Sequence, residues 1–337
     1  MNYIDIDSNQ ARILIDAKQS FESLKSAYVD AKKYAGSMFW RESNGSEYLT
    51  HNPARKIQKS LGPRNAETEA ILSSFTLNKL KTKNKLDAML AQQSEHARMI
   101  SAVNLNRVPL IVAQLSRKLK QIPKLANTTL IVGTNALYAY EAGTGVKFVS
   151  GIVATRDVDV LWDTRRKVSI VTQEPKGFIG ILQSIDKSFS VVGGKGSFTA
   201  SNDKGFMVDL IHPLGKNPHK HRNAVMSDFT DDLVAVQVKG LEWLISCPRY
   251  NAVAFDEKGY PLEMTVPDPR AFAMHKLWLS QQPDRDPIKR SRDREQAEAV
   301  FHLVQEKMPL LSFSDVALNA LPFSVKKQAS YDFGFSL

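Results

Sequence analysis

The sequence predicts an α+β protein: a mixed sheet flanked by helices, preceded by a basic helical region carrying a small β-hairpin and followed by a C-terminal helical region. Three observations predict it. Apolar residues recur every three or four positions at both ends of the chain. An Asn-Gly pair separates two aromatic-rich runs near the start, and short alternating runs trade places with helical ones in the middle.

Taken in order, Ser8 to about Tyr34 reads as an amphipathic helix. Ile13, Ala17, Phe21, Leu24 and Tyr28 form its apolar stripe, and Gly36 stops it. Residues 37–61 hold Asn44-Gly45 between Phe39, Trp40 and Tyr48, a hairpin signal that implies a small antiparallel sheet. Its aromatics, interleaved with Arg41, Arg55, Lys56 and Lys59, can stack bases and neutralise phosphates, or can simply form a small core. Residues 66–123 read as helical, ending on Arg117, Lys118 and Lys120, with Pro123 and Asn127-Thr128 as the boundary.

Beyond that boundary Leu130–Val132 is a short buried strand, residues 134–142 a helix, and DVDVLW at 157–162 a strand with one polar face. GSFTAS and GFMVDLIHP flank Asn202-Asp203-Lys204-Gly205 as a hairpin. From Pro267 the chain is helical again, with a break at Pro283 and Pro287. The expected organisation is therefore a basic region at 1–127, a sheet-bearing domain at 128–265 and a helical region at 266–337.

The composition, 43% hydrophobic and 24% charged over 337 residues, excludes disorder and fibrous architectures. No run approaches a membrane span, and the start MNYIDIDSNQ lacks an apolar stretch behind a basic one. The lone Cys247 leaves no disulfide and no thiolate cluster. The expectation is a cytoplasmic protein with no membrane partner. The net charge of +10 sits almost wholly in residues 1–127, with 20 Lys/Arg against 11 Asp/Glu; the rest holds 25 against 24. Such asymmetry fits a first part that handles a polyanion, most simply nucleic acid, and a second that does chemistry. A solvated helical surface is the plainer reading.

Asp157 and Asp159, two apart on one strand, point to the same face about 7 Å apart along the backbone. Asp209 lies in the apolar run FMVDLI, where an ionised carboxylate is costly without a partner. Three carboxylates on neighbouring strands suit hard, oxygen-ligated Mg²⁺, or Mn²⁺, and phosphoryl chemistry. Singly each aspartate can be structural. A further element, Val132-Gly133-Thr134-Asn135, runs from strand to helix and offers backbone N–H groups to phosphates.

The order of strand, Gly-Thr-Asn turn, helix, Asp-x-Asp strand and later acidic strand resembles the DNA polymerase β-like nucleotidyltransferase superfamily over roughly residues 128–300. GTNALYAYEAGTGV, ATRDVDVLWDTRR, YAGSMFWRESNGSEYL and SLGPRNAETEAI look like an uncharacterised bacterial family of nucleotidyltransferase-fold proteins, related to minimal and toxin-type members, along nearly the whole chain. The resemblance implies that Gly133, Thr134 and Asn135 contact an incoming NTP such as ATP, and that Asp157, Asp159 and Asp209 bind the metal. Two departures stand out: Thr in place of the commoner Ser or Gly at 134, and a long gap from Gly133 to Asp157 filled by EAGTGVKFVSGIV.

Lys276 in FAMHKLWL and the run Lys289, Arg290, Arg292 with Asp293 resemble accessory helices of toxin-type members, where cations meet the triphosphate. Lys276 can equally extend to solvent, and Asp293 is expected to orient a cation. His212, His219 and His221 fit no closed zinc pattern. Trp162 and Trp243 read as core, and Cys247 has no visible activator.

The leading expectation is transfer of an NMP from an NTP to an acceptor hydroxyl, with Asp209 helping to deprotonate it and RNA, such as a tRNA end, as acceptor. Alternatives are nucleotidylation of a protein hydroxyl by a toxin or phage-defence component with an antitoxin partner, and a non-catalytic nucleic-acid-binding protein that keeps the fold.

Overall fold

The computed structural model describes residues 2–54, 57–165, 176–215 and 224–337. Arg55, Lys56, His219 and His221, weighed from sequence, lie outside the described residues. The architecture is α+β with a mixed sheet flanked by helices, as the sequence predicts. The chain forms two compact units: residues 9–105 with 259–261, and the remainder, in which the sheet and the C-terminal helices fold together.

In the smaller unit, a helix at Ser8–Lys33 buries Ile13, Leu14, Ala17, Ser20, Leu24 and Ala27. Tyr28, expected on that stripe, is exposed, because the buried face follows 13, 17, 20, 24 and 27. Strands Gly36–Ser43 and Ser46–Pro53 form the predicted hairpin. Asn44 and Gly45 both take positive φ, as a tight turn matching strand twist requires. Lys59–Pro63 adds a third antiparallel strand.

The helix Ala66–Ala102 starts on a capping box, in which the Asn65 side chain accepts from the Thr68 N–H at 2.9 Å and the Asn65 N–H donates to Thr68 Oγ1. Its Phe75 meets His51 edge-on and Tyr34, just past the first helix, at a tilt, tying that helix end and the sheet to the second helix. The continuous helical stretch expected over 66–123 is instead interrupted at 103–109. Asn104 turns with positive φ, and Pro109, which has no N–H to donate, caps a new helix at Leu110–Gln121.

In the larger unit the sheet, among the described residues, runs Ala224–Val225, Val234–Val238, Met207–Pro213, Asp157–Trp162, Thr129–Val132. Asp157–Trp162 and Met207–Pro213 are parallel, whereas Thr129–Val132 is antiparallel to its neighbour. Thr199–Ser201 takes the first half of the outer edge of Met207–Pro213, across the predicted 202–205 hairpin. Asn202 Oδ1 accepts the N–H groups of Lys204 and Phe206 there. The alternation of DVDVLW is visible in burial: Val158 and Val160 are fully enclosed, while Asp157 and Asp159 look out from the other face.

Residues 134–142, expected as one helix, begin as a 3₁₀ turn at Gly133–Ala136 that passes into an α-helix at Leu137–Thr144. The helices Pro269–Ser280 and Pro287–Lys307 pack on each other. Asp268 and Asp286 cap them, each followed by a proline at the first helical position, where the missing N–H costs nothing. A hairpin of Arg249–Phe255 and Pro261–Pro267 is further structure that the sequence reading did not place. No described helix is long and apolar enough to cross a membrane.

Replacing Asn65 with Ala removes one arm of the capping box. Urea denaturation should show a loss of about 1 kcal/mol confined to the transition of the smaller unit.

Candidate active site

Sheet register gathers the acidic residues. Asp209 lies directly across from Asp159, and Asp157 is one pleat repeat earlier, opposite Met207. All three side chains therefore share one face. Val132 pairs with Asp159 from the other side, which delivers Gly133 to the same spot. A Cβ on Gly133 would lie 2.3 Å from Asp159 Oδ2, and its φ of +65° also demands glycine. The turn is packed as closely on the carboxylate as backbone can be.

Each aspartate has its own holder. Thr155 Oγ1 donates to Asp157 Oδ1. Asn135 Nδ2 donates to the Asp157 carbonyl at 2.7 Å, fixing the strand at that residue. Thr199 Oγ1 donates to Asp209 Oδ1 at 2.6 Å from the neighbouring strand. Burial, then repulsion from Asp157 and Asp209, pushes the Asp159 carboxyl up to about 7 against the opposing pull of Lys276 and Arg285. Asp209 is raised as well, by burial first and by Asp157, while its bond from Thr199 and the field of Lys289 act the other way.

The C-terminal helices and the turn between them supply the cations. Lys276 is buried, with Nζ 2.6 Å from Asp293 Oδ1, and Arg285 Nε stands 2.9 Å from Asp293 Oδ2. Asp293 thus orients two cations. Lys276 does not extend to solvent, and burial lowers its proton affinity although Asp293 and Asp159 oppose that. Arg292 donates to the Ala154 carbonyl just before the Asp157 strand.

Of the predicted nucleotide-contacting turn, Asn135 is 1% exposed and acts on the Asp157 backbone. Thr134 has a partner that the sequence reading missed. Gln296, fully buried, donates from Nε2 both to the Ile152 carbonyl at 2.8 Å and to Thr134 Oγ1 at 3.1 Å. A carbonyl only accepts, so the amide nitrogen must face Ile152, and Thr134 Oγ1 must accept from that same nitrogen. The Thr134 hydroxyl hydrogen is left to donate elsewhere.

A signal for Gln296 existed. It falls on the stripe Asp293, Ala297, Val300, Val304 that buries one face of its helix, where a polar residue needs a partner. Thr155, Thr199 and Arg285 carried no comparable signal. Trp162 and Trp243 are core, and Cys247 is buried, its thiol pushed up to about 12 by that burial.

Hard oxygen donors under mutual repulsion are what a divalent cation relieves. Among the described residues no group of three His, Cys, Asp or Glu side chains forms a preformed metal cage.

Residues 111–322 match a family model described as nucleotidyltransferase, a span of more than half of the chain that contains the three aspartates, the Gly133 turn, Lys276 and Gln296. No curated protein and no solved structure matches the chain.

A carboxyl that titrates near 7 when folded and near 3.9 when unfolded binds its proton more tightly in the folded state. The attendant stability is complete below the unfolded value and is lost as pH rises from about 4 through 7. In EDTA at pH 8, Asp159→Asn should therefore unfold at higher urea than wild type, by about 1–2 kcal/mol after allowance for partial solvation, and the gap should close at pH 4. Gly133→Ala should lose about 1–2 kcal/mol in the same assay and shift the Asp159 titration, read by carboxyl NMR.

Proposed function

We propose, since the chain belongs to the nucleotidyltransferase family, that it moves an NMP from an NTP to an acceptor hydroxyl and releases pyrophosphate. The observation that carries this reading is the register of Asp159 against Asp209, with the Gly133 turn closing on Asp159. Kinship with the DNA polymerase β-like superfamily, and with a bacterial family near its minimal and toxin-type members, is part of the proposal.

In the reaction, the acceptor oxygen attacks the α-phosphorus and forms a new P–O bond as the bond to the β-phosphate oxygen breaks. The hydroxyl proton passes to Asp209, whose carboxylate is held in place by Thr199 Oγ1. The backbone of Gly133 approaches the phosphates without a side chain in the way. The Thr134 hydroxyl, held by Gln296, donates to a phosphate oxygen.

Asp157, Asp159 and Asp209 would hold Mg²⁺, or Mn²⁺, which when bound neutralises phosphate charge and polarises the reacting oxygens. Lys276 and Arg285, fixed on Asp293, set the positive field opposite the carboxylates and the arriving triphosphate. Asn135 acts on nucleotide binding through the Asp157 backbone.

The acceptor we favour is RNA, because the basic excess lies in the first 127 residues. The test is incubation with Mg²⁺, each α-³²P-labelled NTP, total cellular RNA and lysate protein, beside Asp157→Asn. Label should move to RNA with wild type and fall at least 100-fold with the variant, the loss expected when several kcal/mol of charge stabilisation goes. Label on a protein band instead would redirect the acceptor to a protein hydroxyl; equal labelling by the variant would overturn the site.

A further inference from the structure

The small three-stranded sheet has two unlike faces. Strand alternation and register place Trp40, Glu42, Glu47, Leu49 and His51 on one side. That side is occupied within its unit: His51 meets Phe75 of the Ala66–Ala102 helix, while Arg64 lies over Trp40 and pairs with Glu47 at 2.7 Å. The other side carries Phe39, Arg41, Tyr48 and Thr50, with Arg41 directly opposite Tyr48 and Phe39 opposite Thr50.

Arg41, Ser43, Tyr48, Thr50, Gln58 and Ser60 line an open groove there. Both acids of the hairpin are on the far side, so the groove holds a cation and hydroxyls with no carboxylate among its lining residues. Phe39 is 40% exposed beside it. Phe39 and Tyr48 are diagonal cross-strand neighbours, about 7–8 Å apart at the backbone, a span that successive bases of an extended strand can bridge. The unit around them, residues 9–105, holds 15 Lys/Arg against 9 Asp/Glu.

We infer that this sheet face binds single-stranded nucleic acid. Phe39 and Tyr48 stack bases, Arg41 takes a backbone phosphate, and Thr50, Gln58 and Ser60 line the floor with hydrogen-bonding groups. The preference is for single strands because the rings can reach base faces only when these are unstacked. The inference extends the proposal of an RNA acceptor to the surface that holds it, but it stands on binding rather than on transfer.

The test uses full-length protein without NTP, and fluorescence anisotropy with fluorescein-labelled 12-mers of U and of dT, each also annealed to its complement. Tyr48→Ala and Phe39→Ala should each weaken single-strand binding about ten-fold, whereas Tyr48→Phe keeps the ring and should stay near wild type. Arg41→Ala should weaken binding and reduce the salt slope by about one. Glu42→Gln, on the far face, should leave affinity within about two-fold.

Circular dichroism melts accompany each variant. Should Tyr48→Ala unfold, the exposed Phe39 and Arg41 variants decide the matter. Absent wild-type binding, unchanged affinity in the Phe39 and Arg41 variants, equal affinity for duplex, or equal displacement by polyglutamate would each overturn the inference. Loss of NMP transfer with this binding intact would instead count against the active site alone.

Discussion

Three carboxylates on one face of a sheet repel one another, and the larger unit is arranged around holding them there. Parallel register forces Asp159 and Asp209 side by side, and the pleat brings Asp157 to the same face. The buried sides of those strands, Val158, Val160, Val208 and Leu210, anchor them in the core, so the acids cannot turn away without exposing that core. The cost falls on Asp159, whose proton is held up to about 7. Folding energy from the apolar face sustains an electrostatic conflict on the polar one.

The C-terminal helices are integral to this arrangement. They share a compact unit with the sheet, and side chains from them and from the turn between them act on the site. Lys276 and Arg285 act on Asp159 from Asp293, and Gln296 reaches Thr134 and Ile152. Arg292 on the Ala154 carbonyl adds a fourth link at the entry to the Asp157 strand. Removing those helices would leave the carboxylates without opposing charge and the turn without its amide support.

What the sequence disclosed follows what is locally determined. The α+β class, the Asn44-Gly45 hairpin, the 202–205 turn and the two C-terminal helices rest on period and turn chemistry within a few residues, and these signals survive in isolation. The Asp-x-Asp strand was legible because alternation sets a face. Its pairing with Asp209, fifty residues later, is a matter of register, which the aspartates suggested but local pattern does not encode. The 103–109 interruption was marked by Asn104 and Pro109 yet lost within a longer helical run. Thr199, inside a strand, and Thr155, two residues before one, were invisible, because a threonine in either place ordinarily needs no explanation.

Gln296 and Lys276 show where a sequence reading stops short. Both sit on helix faces that are otherwise apolar, and the usual outcome for such a lysine is to extend its stem and reach water. Here Asp293 lies one helix away at 2.6 Å, so the ammonium stays inside, and the same acid also holds Arg285. An acid on one helix thus fixes two cations before any phosphate arrives, much as Gln296 fixes the direction in which Thr134 can donate. Preset donors lose little freedom when a charged ligand arrives, which is where a polar site gains over water. Side chains that hold the functional groups therefore do as much to define the site as the groups themselves.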